Sequence, residues 1–226
     1  MRKLSYFFIL FLFFALGAAA PTVLFYSFNR RVLKFKDYTR LSSGELSNAD
    51  EDIIFSDGIK GLGLDFYEWR GLFKFSIPKY ILDLSKGVSV SFYVMPRPTD
   101  GKEFVAINSD FLKISSANRE NEWAAYIFYA DGDHDRIVFE SPPQYKWAFI
   151  VITMQKGLGK VYVNGNLMAK TTIWSEDLNT GNNSDAKYIY GYIGGTKEGN
   201  KFNGKVDEFK IYNRVLWDDE ILRLSN

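Results

Sequence analysis

Asp207 and Glu208 are adjacent acids inside the alternating apolar run Val206 to Tyr212. Cleaving a glycosidic bond with retention needs two carboxyl groups roughly 5 Å apart, one as nucleophile and one as acid. Neighbours on a regular strand point to opposite faces, so this pair is expected not to flank one bond. Asp131, Asp133 and Asp135 surround the sole histidine, His134. Carboxylates at alternate positions can chelate calcium, but the sixth-position glycine and closing twelfth-position glutamate of an EF-hand loop are missing. Asp and Gly are also what a tight hairpin requires, so the cluster reads as a turn. With one histidine and no cysteine, nucleophile and base combinations are few, and the chain is expected not to be an enzyme.

A different chemistry is carried by tyrosine. Tyr188, Tyr190 and Tyr192 alternate with Ile189, Gly191 and Ile193, which puts three phenols on one face of a strand and the isoleucines in a core. Flat rings with a polar tip suit the apolar faces and hydroxyls of carbohydrate. Tyr93 and Tyr162 are expected to extend this patch, with Trp174 at its edge. The competing reading is that cross-strand aromatic pairs simply stabilise the sheet. Trp123 and Trp147 alternate with Ala125, Ile127, Phe149 and Val151 and read as core. Asn182-Asn183-Ser184 would accept a glycan only in a glycosylating secretory host.

The elements that must position these residues are short and mostly extended. Runs of Val, Ile, Phe and Tyr with period-2 alternation recur from Val23 to Tyr212 between Gly, Asn and Asp turns, the pattern of a sandwich. Val88, Val90, Phe92 and Val94 alternate with Ser89, Ser91, Tyr93 and Met95, and similar strands are expected over 123–130, 135–140, 147–154, 158–163, 188–193 and 206–212. Asp131-Gly132 and Asn164-Gly165 sit between runs as hairpin turns. Lys36 to Asp52 and Ser175 to Ala186 read as loops. One short helix is expected near the end, capped by Asp218 and carrying Ile221 and Leu224 on one side.

Arg2 and Lys3 precede an apolar run from Leu4 to Leu16 and the small residues Gly17-Ala18-Ala19-Ala20, the order of a secretory signal. Residues 1–20 are therefore read as a signal peptide, the alternative being an uncleaved anchor long enough to span a bilayer. Residues 21–226 form one domain, within the size range of a large all-β sandwich. Basic and acidic residues number 28 and 27, a balance that offers nucleic acid no electrostatic footing. The chain is 46% hydrophobic and 17% aromatic, enough to build a core without disulfides.

Several stretches resemble the laminin-G-like jelly rolls of the concanavalin A-like lectin/glucanase superfamily. They are Val23 to Phe28, Gly61 to Phe66, Leu84 to Pro96 (with Tyr93 at the usual Trp), Trp147 to Met154, Val161 to Gly165, and Ile193-Gly194-Gly195 followed by Phe202 to Leu216. The resemblance implies an all-β, two-sheet antiparallel jelly-roll sandwich, and a curved face or rim where several relatives hold sugars. Some relatives bind a structural calcium ion through Asp residues that here are Asn29 and Tyr67. Asp65, Asp207 and Glu208 remain as the metal ligands the resemblance implies, a set short of carboxylate charge. The E-x-D-x-x-E strand of the glucanases is absent.

The expected function is an exported, non-catalytic module in adhesion or recognition, secreted or at the cell surface, that binds carbohydrate, a surface glycoconjugate or a protein. Nucleic acid is not an expected partner, and a membrane is one only if the N-terminal helix is retained. The rival reading is an assembly subunit of an envelope, filament or coat. A divergent glycosidase is a third.

Overall fold

A computed structural model of the chain describes residues 22–29, 34–36, 43–46, 54–67, 71–99, 101–117, 119, 121–175, 177–181, 187–197 and 199–226. Residues 1–20, with the signal reading placed on them, and the sequon at 182–184 lie outside these.

Alternation and turn chemistry produce a chain of antiparallel strands. They are β1 (Thr22–Tyr26), β2 (Lys34–Lys36), β3 (Ser43–Leu46), β4 (Ile54–Asp57), β5 (Leu62–Phe66), β6 (Phe73–Pro78), β7 (Val88–Pro96) and β8 (Val105–Ser109). There follow β9 (Leu112–Ser116), β10 (Glu122–Phe128), β11 (His134–Glu140), β12 (Ala148–Gln155), β13 (Leu158–Val163), β14 (Asn166–Thr171), β15 (Tyr188–Ile193) and β16 (Gly204–Tyr212), and a helix α1 (Asp218–Ser225). The first sheet runs β14-β13-β12-β7-β16-β5-β4, with β1 also on β16; the second runs β11-β10-β9-β8-β15-β6-β3-β2. The expected all-β jelly-roll sandwich with a short C-terminal helix is thus the fold observed.

Between the sheets, the inward residues of each strand meet in one continuous core. Val90, Phe92 and Val94 of β7 are fully buried, as are Ile189 and Ile193 of β15. Phe75 and Phe209 touch across the layer with ring centroids 5.0 Å apart. Each such ring contributes about 1.5–3 kcal/mol by leaving water. At one end Phe202 packs edge-on to Trp123, 6.2 Å away.

The outer faces of the two sheets differ. On the first, α1 and the segment leading to it lie over a second apolar cluster of Phe149, Val151, Tyr162, Tyr212, Leu216 and Ile221. Ser89 Oγ donates to Arg214 O at 2.8 Å and accepts from Leu216 N at 2.9 Å. Arg214 forks onto Glu220 at 2.6 and 2.7 Å. That part of the face is covered, and the second sheet carries no such helix among the described residues.

Four expectations change. Ser43–Leu46, read as loop, is a strand that pairs Gly44 with Phe75; backbone pairing makes Ser-Gly-Glu-Leu a strand without any side-chain alternation to announce it. Trp147 is half-buried at the entrance to β12 and not in the core, while Phe149 and Val151 belong to the cluster under α1. Trp217 is the N-cap and Asp218 the first helical residue, with Glu220 accepting the Trp217 N–H at 3.1 Å. Ile221 is buried but Leu224 is exposed.

Candidate functional site on the tyrosine face

Strand β15 sits between β6 and β8. Its alternation is kept in three dimensions: the isoleucines are buried, while Tyr188 and Tyr190 remain 43% and 48% exposed on the outer face and Tyr192 is half-buried. Gly191 is required beneath them, because a Cβ there would meet Phe75 Cζ at 2.2 Å. The register sets Tyr192 between Lys74 of β6 and Asn108 of β8, and Tyr190 opposite Ser76. Lys74 Nζ lies 4.9 Å from the Tyr190 ring centroid and Lys197 Nζ 5.5 Å from that of Tyr192.

Tyr190, Tyr192, Lys74 and Lys197 form a shallow groove of about 670 Å³, closed by Asn108, Asp110, Phe128 and Asn179, and Tyr188, on the same face, does not line it. The loop carrying Asn179 is pinned to the sheet by its own N–H, which donates to Phe128 O at 2.8 Å. Asp110 accepts the Tyr190 N–H, and burial pushes its carboxyl above the usual range, with that hydrogen bond and Lys79 working the other way. The groove therefore offers three aromatic rings, two cations, a carboxyl and two amides. That is the equipment to hold a polyhydroxylated ligand by stacking and by hydrogen bonds to its edge. Asn108 and Asp110, at the end of β8 and its turn, and Asn179, from a distant loop, escaped the sequence reading because no local period marks a residue brought in beside a neighbouring strand.

The remaining candidates do not join this groove. Tyr93 is on β7 and Tyr162 on β13, both in the first sheet and both under α1. Tyr93 donates to Leu224 O at 2.9 Å and Tyr162 to Asp218 Oδ1 at 2.6 Å, so these phenols anchor the helix. Alternation reports which face of a strand a residue occupies, not which sheet the strand enters. Trp174, 82% exposed, stands beside the acidic hairpin, where it lines a small 140 Å³ recess with Tyr129, Asp133 and His134. In that hairpin Tyr129 donates to Asp135 at 2.5 Å and the Asp131 and Asp133 carboxylates accept turn amides, as a structural turn requires.

A model of the concanavalin A-like lectin/glucanase superfamily matches residues 74–222. The chain belongs to that superfamily. No match is found among curated protein sequences. Solved structures with this superfamily fold include the binding domain of botulinum neurotoxin serotype G, at TM-score 0.68 and 19% identity over 90% of this chain and 50% of that one. The binding domain of Paraclostridial mosquitocidal protein 1 aligns at TM-score 0.67 and 19% identity, covering 91% and 52%. Domain 4 of AbnA, an extracellular arabinanase of Geobacillus stearothermophilus solved with arabinotriose, aligns at 0.62 and 20%, covering 92% of this chain and 99% of that domain. The chain spans about half the length of the toxin binding domains. Its fold is that of binding domains within a superfamily that also contains glucanases.

The calcium that the resemblance to some relatives implies does not fit the donors present. Asp65 is 6% exposed and receives Arg97 in a fork of 2.6 and 2.8 Å, with Ser56 Oγ at 3.1 Å. Arg97 also lies over the Tyr67 ring, 5.4 Å from its centroid. Asn29 Oδ1 accepts the Leu62 N–H at 2.9 Å. The β16 strand is not regular: its register slips between Asp207 and Lys210, and Glu208 has φ 51°. This bulge brings Glu208 round to Lys210, 3.0 Å away, on the side that Asp207 occupies, and so corrects the expectation of opposite faces. Asp207 accepts the N–H groups of Ile59, Lys60 and Glu208 at 3.0, 3.2 and 2.8 Å. Burial pushes its carboxyl up to about 7, helped by the Glu208 carboxylate and opposed by the amides. Each acid has its own partner, and no trio of His, Asp or Glu able to share a metal occurs among the described residues.

Proposed function

We propose that this chain is an exported, non-catalytic module that binds carbohydrate through the tyrosine groove of its second sheet, in recognition or adhesion at or beyond the cell surface. The observation that carries the reading is the open aromatic groove of Tyr190 and Tyr192, set among Asn108, Asp110 and Asn179, on a sandwich whose other outer face has its aromatic cluster covered by α1. The arabinotriose complex of AbnA domain 4 and the binding domains of the toxins support it from outside. Export rests on the order of the first 20 residues. Among the described residues no helix is long and apolar enough to cross a membrane. The non-catalytic part rests on the partners of Asp65, Asp207 and Glu208, which leave no acid couple poised over an open cleft.

Replacing Tyr190 and Tyr192 together by alanine tests the reading on an immobilised glycan panel that includes arabino-oligosaccharides. Retention is expected to vanish while the melting temperature moves little, because both rings are at least partly exposed and surface substitutions usually change stability by less than about 0.5 kcal/mol. Unchanged retention would refute the site.

A further inference from the structure

The tyrosine groove is one end of a longer feature. Following the ladder from Tyr192, the register runs through Asn108 of β8 and Lys113 of β9 to Tyr126 of β10 and Arg136 of β11. One straight line across five strands thus carries ring, amide, cation, ring and cation. At roughly 4.8 Å between strands it is about 19 Å long, the reach of an oligosaccharide segment. The cations are held against the rings: Lys113 Nζ is 4.3 Å from the Tyr126 centroid and Arg136 Cζ 5.6 Å from the same ring. Phe128 and His134 lie alongside, with ring centroids 5.7 Å apart.

Two positive groups therefore share one aromatic ring, and neither makes an ion pair among the described residues. The buried Arg136 Nε has no hydrogen-bond acceptor among the described residues. Asp135, the adjacent acid, is turned to the Tyr129 hydroxyl, and Glu122 and Glu140 face each other four residues further along the same two strands, about 13 Å away. Elsewhere the fold supplies its cations with carboxylates, as with Arg97 and Asp65, Lys210 and Glu208, and Arg214 and Glu220. On this row it supplies only ring faces, which leave the charge available to a ligand.

We infer that the ligand is an acidic polysaccharide, whose chain lies across the strands with sugar rings on Tyr192 and Tyr126 and its carboxylate or sulfate groups at Lys113 and Arg136. This rests on the carbohydrate reading above and adds the ligand's charge and direction. Charge-assisted hydrogen bonds from the guanidinium and ammonium groups would fix the position of each acid group, while stacking sets the spacing of the sugars.

Affinity electrophoresis of the full chain tests it, with five polymers in the gel: polygalacturonate, its methyl ester, dextran sulfate, dextran and single-stranded DNA. Retardation by polygalacturonate or dextran sulfate should exceed that by the matching neutral polymer, and should weaken as salt rises from about 50 to 200 mM. Which acid polymer binds separates carboxylate from sulfate. Lys113→Gln with Arg136→Gln should weaken acid-polymer binding about tenfold and leave residual binding to the neutral polymers at the level of the unmodified protein. Tyr190→Ala with Tyr192→Ala should remove both. An ester that binds as tightly as the acid, or an unchanged double glutamine variant, overturns the inference and leaves the carbohydrate reading standing. Retardation by DNA equal to that by the acid polysaccharides overturns it in favour of a mere polyanion surface. No retardation by any polymer overturns both.

Discussion

Arg97→Ala is the substitution that most directly tests how this sandwich holds Asp65. Arg97 and Asp65 side chains are 15% and 8% exposed and joined by two hydrogen bonds of 2.6 and 2.8 Å. Breaking such a pair from one side leaves a carboxylate in a dry site and typically costs 3–5 kcal/mol. Here Ser56 Oγ at 3.1 Å and Lys205 Nζ at 3.9 Å remain beside Asp65, which places the loss at the lower end, about 3 kcal/mol. For a domain of this size each kcal/mol lowers Tm by about 2–4 °C, so the expected fall is roughly 6–12 °C. Urea unfolding of the parent, Arg97→Ala, Asp65→Asn and the double variant should show a coupling of at least about 1.5 kcal/mol at constant slope. A single-variant loss below about 1 kcal/mol, or additive singles, would refute the assignment of Arg97 as the cation that holds Asp65.

Further outcomes follow from the same geometry. Neither millimolar calcium nor chelator should shift the Tm of the parent protein, whereas a resident ion at a hundred times its Kd would add about 2.7 kcal/mol. Because the Asp207 carboxyl titrates near 7 in the fold and near 3.9 when unfolded, the folded state holds the extra proton. Stability should therefore fall as pH rises from about 4 to 7 and level off above, and Asp207→Asn should flatten that slope in urea melts taken across the range. Gly191→Ala should destabilise by about 1–3 kcal/mol, since its Cβ would press on the Phe75 ring; thermal melts read this directly. Tyr162→Phe removes the 2.6 Å bond to Asp218 at a cost of about 1.5–3 kcal/mol, and amide exchange should quicken in α1 before the sheets.

Much of the scaffold was legible in the sequence. The readings of 158–163 and 188–193 coincide with β13 and β15 end to end, because strict alternation and a turn chemistry fix both limits. Asn164 and Gly165 both have positive φ, as a type I′ hairpin demands. The bulge at Glu208 was not legible: a left-handed glutamate is imposed by tertiary packing, and no residue type announces it. The same limit explains the site. Tyr188, Tyr190 and Tyr192 were found by period, but Tyr93 and Tyr162 obey the same period and serve the opposite sheet. Only the long-range register shows that β7 and β13 lie beneath α1, while β15 lies between Lys74 and Asn108.

That asymmetry bears on function. A two-sheet sandwich exposes two outer faces, and both need a polar or partnered surface to stay out of aggregates. The first sheet meets the need by covering Phe149, Val151, Tyr162 and Tyr212 with a helix whose Tyr93 and Tyr162 hydrogen bonds lock it down. On the second sheet the solution is different: Tyr190, Tyr192 and Tyr126 stay uncovered, each with a lysine or arginine over its ring. A ring needed only for sheet stability gains more by burial than by exposure, and a cation over an exposed ring gains about 0.5–1 kcal/mol without having its charge neutralised. The combination is favourable when a flat, hydroxylated and charged partner completes both contacts at once, which is why the row from Tyr192 to Arg136, rather than either covered tyrosine, is where binding should be sought.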